Sequence, residues 1–199
     1  MHAHENFAVM LNANARKVTP SVRRKIEGFV PPENIFYSRS MEESLDIASE
    51  IQSRQYPTVF TGGGDGTFVK FVNDYCESRS PVQKARSEAL PDMGVLHLGT
   101  GNAVASIVSS GNYECDLQSY LASGYRNTQQ LQLLEADGMR FPFGGLGWDA
   151  EILNDYNRVK RSLGMNRFLR PVVRNVGGYF AAFFGKTMPR HVTQMFNRV

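Results

Sequence analysis

Cysteine is scarce in this chain of 199 residues: there are two, Cys76 and Cys115, and neither has metal-binding spacing. That excludes a disulfide framework and makes a reducing, cytoplasmic setting the expectation. Long apolar runs are also missing. No stretch approaches the ~20 apolar residues needed to span a bilayer. The N-terminus, with His2, His4 and Glu5 ahead of any apolar run, does not read as a secretory leader. Charge of one sign is not in excess either. A net charge of +3 allows a basic patch near phosphates or anionic lipid and gives no ground for a nucleic-acid partner. The G-x-x-x-x-G-K-S/T loop occurs nowhere, which removes the Walker-type nucleotide site. A dinucleotide fingerprint fails as well: it would need a small residue where Thr67 or Val104 stands.

What remains is an ordinary globular composition, 42% hydrophobic and 21% charged, organised around Pro57 to Lys70, PTVFTGGGDGTFVK. Thr58, Val59 and Phe60 form a short β-favouring run, and Gly62, Gly63 and Gly64 follow at once. Phe68, Phe71, Val72 and Tyr75 then recur at helical spacing. Strand, glycine turn and helix in that order make a cradle for phosphate. Glycine permits positive φ and close approach, so that amide N–H groups converge on an anion, and the helix adds its positive end. Asp65 sits among these residues, with Gly66 and Thr67 behind it. A carboxylate beside phosphates is there to hold a magnesium ion or to accept a proton from an attacking hydroxyl, unless it caps the following helix. The three glycines and the preceding strand favour the chemical roles.

The same grammar recurs along the chain. Phe7 to Leu11 reads as a buried strand running into Asn12-Ala13-Asn14. Thr19 caps a helix with Pro20 at its first position. Asn34 to Tyr37 is a second strand, and Ser40 with Glu43 forms a capping box for the helix carrying Leu45, Ile47, Ala48 and Ile51. Ser78 to Asp92 reads as a loop or a short irregular helix. Met93 to Leu98 is a further strand, ending in Gly99, Thr100, Gly101 and Asn102, with a helix over Ala103 to Ser109. Strands alternating with helices imply an α/β fold with a doubly wound parallel sheet. Both glycine loops then lie at the carboxyl ends of strands, where such sheets bind ligands. From Arg126 the pattern changes. Leu131, Leu133 and Leu134, the turn pair Asp137-Gly138 and then Met139 to Phe143 read as an antiparallel hairpin. The expected division is an α/β domain over 1–127 and the start of a mostly β second domain, hairpin plus helices, over 128–199.

GGDGT at Gly63–Thr67, LGTGN at Leu98–Asn102 and GLGWDAE at Gly145–Glu151, in that order, resemble the diacylglycerol kinase catalytic-domain family, which includes bacterial lipid kinases, sphingosine kinases and ceramide kinases. GGDGT alone is shared with NAD kinases, whereas the three motifs together are specific. The resemblance runs from about Phe7 to about Lys160. It implies ATP and Mg2+ as cofactors and transfer of the γ-phosphoryl group to a lipid hydroxyl, of diacylglycerol or a sphingoid-type lipid. Gly62, Gly63, Gly64, Gly66, Thr67, Gly99, Thr100, Gly101 and Asn102 would hold phosphates, and Asp65 would be the catalytic residue. In the family an Asn-Pro pair after the first strand contacts nucleotide. Asn12 matches the asparagine, while Ala13 replaces the proline, so nucleotide contact and a plain polar turn both stay open. By the sphingosine-kinase pattern Asp149 contacts the substrate head group, and capping its own helix is the rival role. The family's second acidic motif, Asp-Gly-Glu, does not occur, so the expectation is a kinase truncated in its second domain, with a NAD kinase-like enzyme or an inactive nucleotide- or lipid-binding regulator as alternatives. The lipid would be met at the inner membrane surface from the cytoplasm, and a homodimer is one assembly open to the chain. The basic, aromatic segment from Lys160 to Phe184 suits either a membrane surface or a helical core with a solvated basic face.

Overall fold

The computed structural model describes residues 6–85, 89–100, 102–123, 128–145, 147–163, 183–190 and 193. The chain divides into two compact units, Met1–Pro142 and Phe143–Val199. In the first, strands β1 (Phe7–Asn12), β2 (Ile35–Ser38), β3 (Thr58–Gly63) and β4 (Asp92–His97) form a parallel sheet in the order β2-β1-β3-β4. The helices between and after them are α1 (Pro20–Glu27), α2 (Met41–Ser53), α3 (Asp65–Ser78), the short α4 (Pro81–Ala85), α5 (Ala103–Ile107) and α6 (Tyr113–Ser123).

The alternation of β1 explains the layers. Phe7, Val9 and Leu11 point to one face, where Ile26 and Val30 of the α1 side and Leu117 and Tyr120 of α6 cover them. Ala8 and Met10 point to the other, against Ala48 and Ile51 of α2 and Phe71 and Tyr75 of α3. Side chains of a strand alternate with period two, so a strand buried on both faces must be apolar there, as Phe7 to Leu11 of β1 are. Register decides the rest: Val9 stands beside Phe60, and Ala8 beside Val59, so each strand delivers its residues to the same two layers.

The helix starts follow the expected chemistry. Thr19 Oγ1 accepts from Val22 N–H at 3.3 Å with Pro20 first in α1. Ser40 Oγ accepts from Glu43 N–H at 3.1 Å, and Glu43 reaches back to Arg39 N–H at 2.6 Å, one residue before the capping box would place it. Helix α6 has no counterpart in the sequence reading. Of its residues only Leu117 and Tyr120 are buried, too few to make a period, and it is started by Asn112 Oδ1 accepting from Glu114 N–H at 2.9 Å.

The hairpin forms as expected, with β5 (Leu134–Ala136) antiparallel to β6 (Met139–Phe141) and positive φ at Asp137 (51°) and Gly138 (74°). Asn73 of α3 donates to Arg140 carbonyl at 2.8 Å and accepts from Arg140 N–H at 2.8 Å. This two-point bracket makes the hairpin part of the first unit, which runs to Pro142.

The elements described in the second unit are helices: α7 (Trp148–Leu163) and a helical segment from Phe183. Asp155 on α7 is buried and accepts from Thr187 Oγ1 at 3.0 Å and from Arg190 at 3.3 Å, with Arg158 at 3.6 Å. Burial pushes this carboxyl up, but the Thr187 hydrogen bond and the two arginines outweigh it and hold Asp155 below the ordinary aspartate range. Most of the basic, aromatic segment, residues 164–182, lies outside the described residues.

Candidate functional site

At the carboxyl ends of β1, β2 and β3 the first unit opens into a cleft of about 640 Å³. It is lined by Asn12, Ser38 and Ser40, by Gly64, Asp65, Gly66 and Thr67, by Gly99 and Thr100, and by three cations, Arg16, Arg39 and Lys70. Positive lining around one carboxylate suits a polyanion better than any neutral ligand. A larger cavity of about 720 Å³ runs along β4 between Phe68, Val72, Met93, Val95, Leu131 and Leu133; it contains none of the motif residues.

The first glycine loop is built by close approach. Strand β3 continues through Gly62 and Gly63, so these two lie beneath the cleft and not on its lining. A Cβ at Gly63 would meet Thr67 Oγ1 at 2.2 Å, which is why only glycine lets the start of α3 fold back over the strand end. Gly64 is extended (φ −99°, ψ −176°), and its carbonyl accepts from Thr67 N–H at 2.8 Å. Of the two freedoms glycine permits, these residues use close approach: among the described residues of the two loops the left-handed one is Asn102, at φ 55°.

Asn102 is buried behind the second loop. Its Oδ1 accepts from Gly99 N–H at 2.7 Å and its amide donates to Gly99 carbonyl at 2.6 Å. With its side chain turned back in this way, Asn102 makes no side-chain cap for α5. Asp65 makes it instead: its Oδ1 accepts from Val104 N–H, the second residue of α5, at 2.9 Å. So Asp65 does cap a helix, but that of the other loop. One oxygen is fixed by this bond while the residue lines the cleft.

The remaining expected residues divide. Asn12 lines the cleft, and its amide is held on both sides, donating to Thr67 Oγ1 at 3.1 Å and accepting from Asn14 N–H at 2.9 Å. Asn12, Gly64, Asp65, Gly66, Thr67, Gly99 and Thr100 are thus brought together, with Asn102 behind them. Gly101 lies outside the described residues. Asp149 is the second residue of α7 in the second unit, and its side chain lies outside the described residues. Arg16, Arg39 and Lys70 were not found from sequence. Lys70 follows Gly66 by one helical turn, a spacing that places it on the same face as the loop, and this is the one sequence cue it offered.

A magnesium ion is implied by the family resemblance of the motifs. Among the described residues no three His, Cys, Asp or Glu side chains cluster, so no all-protein cage is built. Magnesium at a nucleotide takes one or two carboxylates, its phosphates and waters. A single cleft carboxylate, Asp65, fits that arrangement.

The model of the diacylglycerol kinase catalytic domain matches residues 8–133, and the chain belongs to that family. Two solved structures from Bacillus anthracis str. Sterne are similar to it in fold. One, described as a candidate diacylglycerol kinase, is 16% identical over 69% of this chain and 48% of its own, with a TM-score of 0.52. The other, described as a diacylglycerol kinase, is 17% identical over 81% and 54%, with a TM-score of 0.51. The chain spans about half the length of these two structures. No curated protein matches it.

Proposed function

We propose that the chain serves ATP-dependent phosphorylation of a lipid hydroxyl, of diacylglycerol or a sphingoid-type lipid. The observation that carries this reading is Asp65: a carboxylate on the cleft lining, joined by one oxygen to the second glycine loop and followed by the helix of the first. Phosphoryl transfer needs positioning and charge stabilisation more than covalent chemistry. Gly64, Gly66, Gly99 and Thr100 cradle the phosphates. The oxygen of Asp65 not used by Val104 accepts the proton of the attacking hydroxyl or holds the metal. Magnesium, when bound, neutralises phosphate charge. Asn12 acts by fixing Thr67, and so the start of α3, rather than by free contact with the nucleotide. No helix among the described residues is long and apolar enough to cross a membrane. In this reading the lipid is met at the membrane surface, and Asp149 is the residue proposed to meet its head group.

Incubation with γ-labelled ATP, magnesium and diacylglycerol or sphingosine in mixed micelles tests the reaction. With the domain completed to the family's full length, label is expected in the lipid extract; with NAD supplied alongside, label in NADP and none in lipid sinks the reading. Asp65→Asn keeps an oxygen to accept from Val104 N–H, so it removes charge without opening the loops. Its turnover is expected to fall by about two orders of magnitude, the usual loss for a missing base or charge partner. Near-normal turnover would make Asp65 a structural cap alone.

A further inference from the structure

Lys70 is held in a way that a surface lysine rarely is. It lines the cleft from α3, one turn beyond Gly66, and its ammonium pairs with Asp74 a further turn along. Asp74 is 2% exposed. Its other oxygen accepts from Ser44 Oγ at 2.6 Å, across the packing of α2 on α3, and Ser44 is itself buried at the cleft wall. A carboxylate taken out of water must be paired and hydrogen-bonded to be tolerated. Here both oxygens are used, and the result is a cation with a fixed address. An ammonium has three N–H donors, and Asp74 engages one direction only.

A staple between α2 and α3 would explain Ser44 and Asp74, since a serine and an acid suffice for that. It does not explain why the neutralising charge comes from the residue that borders the phosphate loop. The nearest side of α3 to Lys70 is the open face of Gly66, where a Cβ would meet nothing within 4 Å. Space for a ligand and a held cation therefore occur on one helix face.

We propose that Lys70, aimed by Asp74 and Ser44, contacts the phosphate chain of the nucleotide and makes the cleft select triphosphate over monophosphate. This rests on the nucleotide reading given above. Lys70 is a binding residue in this scheme, and Asp74 a positioning residue.

Calorimetric titration of the 199-residue chain with ATP, ADP and AMP in the presence of magnesium tests it. Lys70→Met is expected to weaken ATP by roughly tenfold or more, the scale of one lost charge-assisted hydrogen bond, while AMP changes by less than about threefold. Lys70→Arg keeps most of the preference for ATP. Asp74→Asn lowers the ATP-to-AMP affinity ratio in the same direction as Lys70→Met, which a mere staple would not do. Ser44→Ala, which frees one oxygen of Asp74, lowers the ratio in the same direction but by less than Asp74→Asn. An unchanged ratio in Lys70→Met, with the unaltered chain binding ATP, overturns the proposal and leaves the nucleotide reading standing. Failure of the unaltered chain to bind any of the three overturns both.

Discussion

The two glycine loops look alike in sequence and are built on different physics. The first is secured by steric fit: β3 runs through Gly63, Gly64 is extended, and a fourteen-residue helix follows without a left-handed residue. The second depends on side chains. Strand β4 ends in a tight turn, with Leu98 N–H on Leu96 carbonyl at 2.6 Å, and the chain then enters a five-residue helix through left-handed Asn102. So short a helix cannot sustain itself. It borrows its cap from Asp65 of the first loop. The rigid loop thus carries the charge, and the charge organises the weaker loop. Loss of the first loop's geometry should damage both, whereas damage to the second should stay local except at Gly99, whose backbone packs on Gly63 and Gly64 of the first.

Several substitutions break that contrast, with effects of falling size. Gly99→Ala is the most severe. Its Cβ would meet Gly64 Cα at 2.2 Å and Gly63 carbonyl oxygen at 2.7 Å, backbone atoms that cannot swing aside. Overpacking against backbone costs about 3 kcal/mol or more, so thermal unfolding should move far down and nucleotide protection should vanish. Asn102→Ala comes next. It loses both bonds to Gly99 and leaves a β-carbon in the left-handed region, together about 2 kcal/mol. Asn102→Gly, which tolerates the backbone, should recover part of this in denaturant titration. A Gly replacement no better than Ala would mean the side-chain bonds are the whole effect.

Asp65→Ala sharpens the borrowed cap. It should cost about 1 kcal/mol, the usual worth of a capping side chain, and raise amide exchange at Val104 and its neighbours while α3 keeps its protection. Exchange rising equally in α3 would contradict the asymmetry between the loops. Gly66→Ala has the smallest effect and the opposite sign. Nothing lies within 4 Å of its Cβ, and the residue is already helical. A gain of about 0.5 kcal/mol is expected from helix propensity. A loss of stability there would show that the open face is closed in solution.

The legible part of the fold was the part written in short periods. Phe68, Phe71, Val72 and Tyr75 recur at helical spacing and are all buried, and Asp137-Gly138 takes the two positive φ values that its turn requires. Helix α6 was not legible, because Tyr120 packs its ring on Phe7 and Phe60, and Leu117 joins the same core, on strands far away in sequence. The hairpin was readable, but its membership of the first unit was not, since nothing near Asn73 announces a bracket to Arg140.

The family, the order of strand, glycine loop and helix, and the presence of one acid in the cradle followed from sequence alone, because they rest on residues within a turn or two of each other. Tertiary structure decided what each loop residue does. The register of β3 on β1 and β4 sets Gly62 and Gly63 beneath the cleft and Gly64 against Gly99. That same register brings Asn12 to Thr67 and Asp65 to Val104, while the packing of α2 on α3 brings Ser44 to Asp74. Hydrogen bonds between residues so far apart in the chain exist only once the sheet has aligned its strand ends, and no local pattern specifies that alignment.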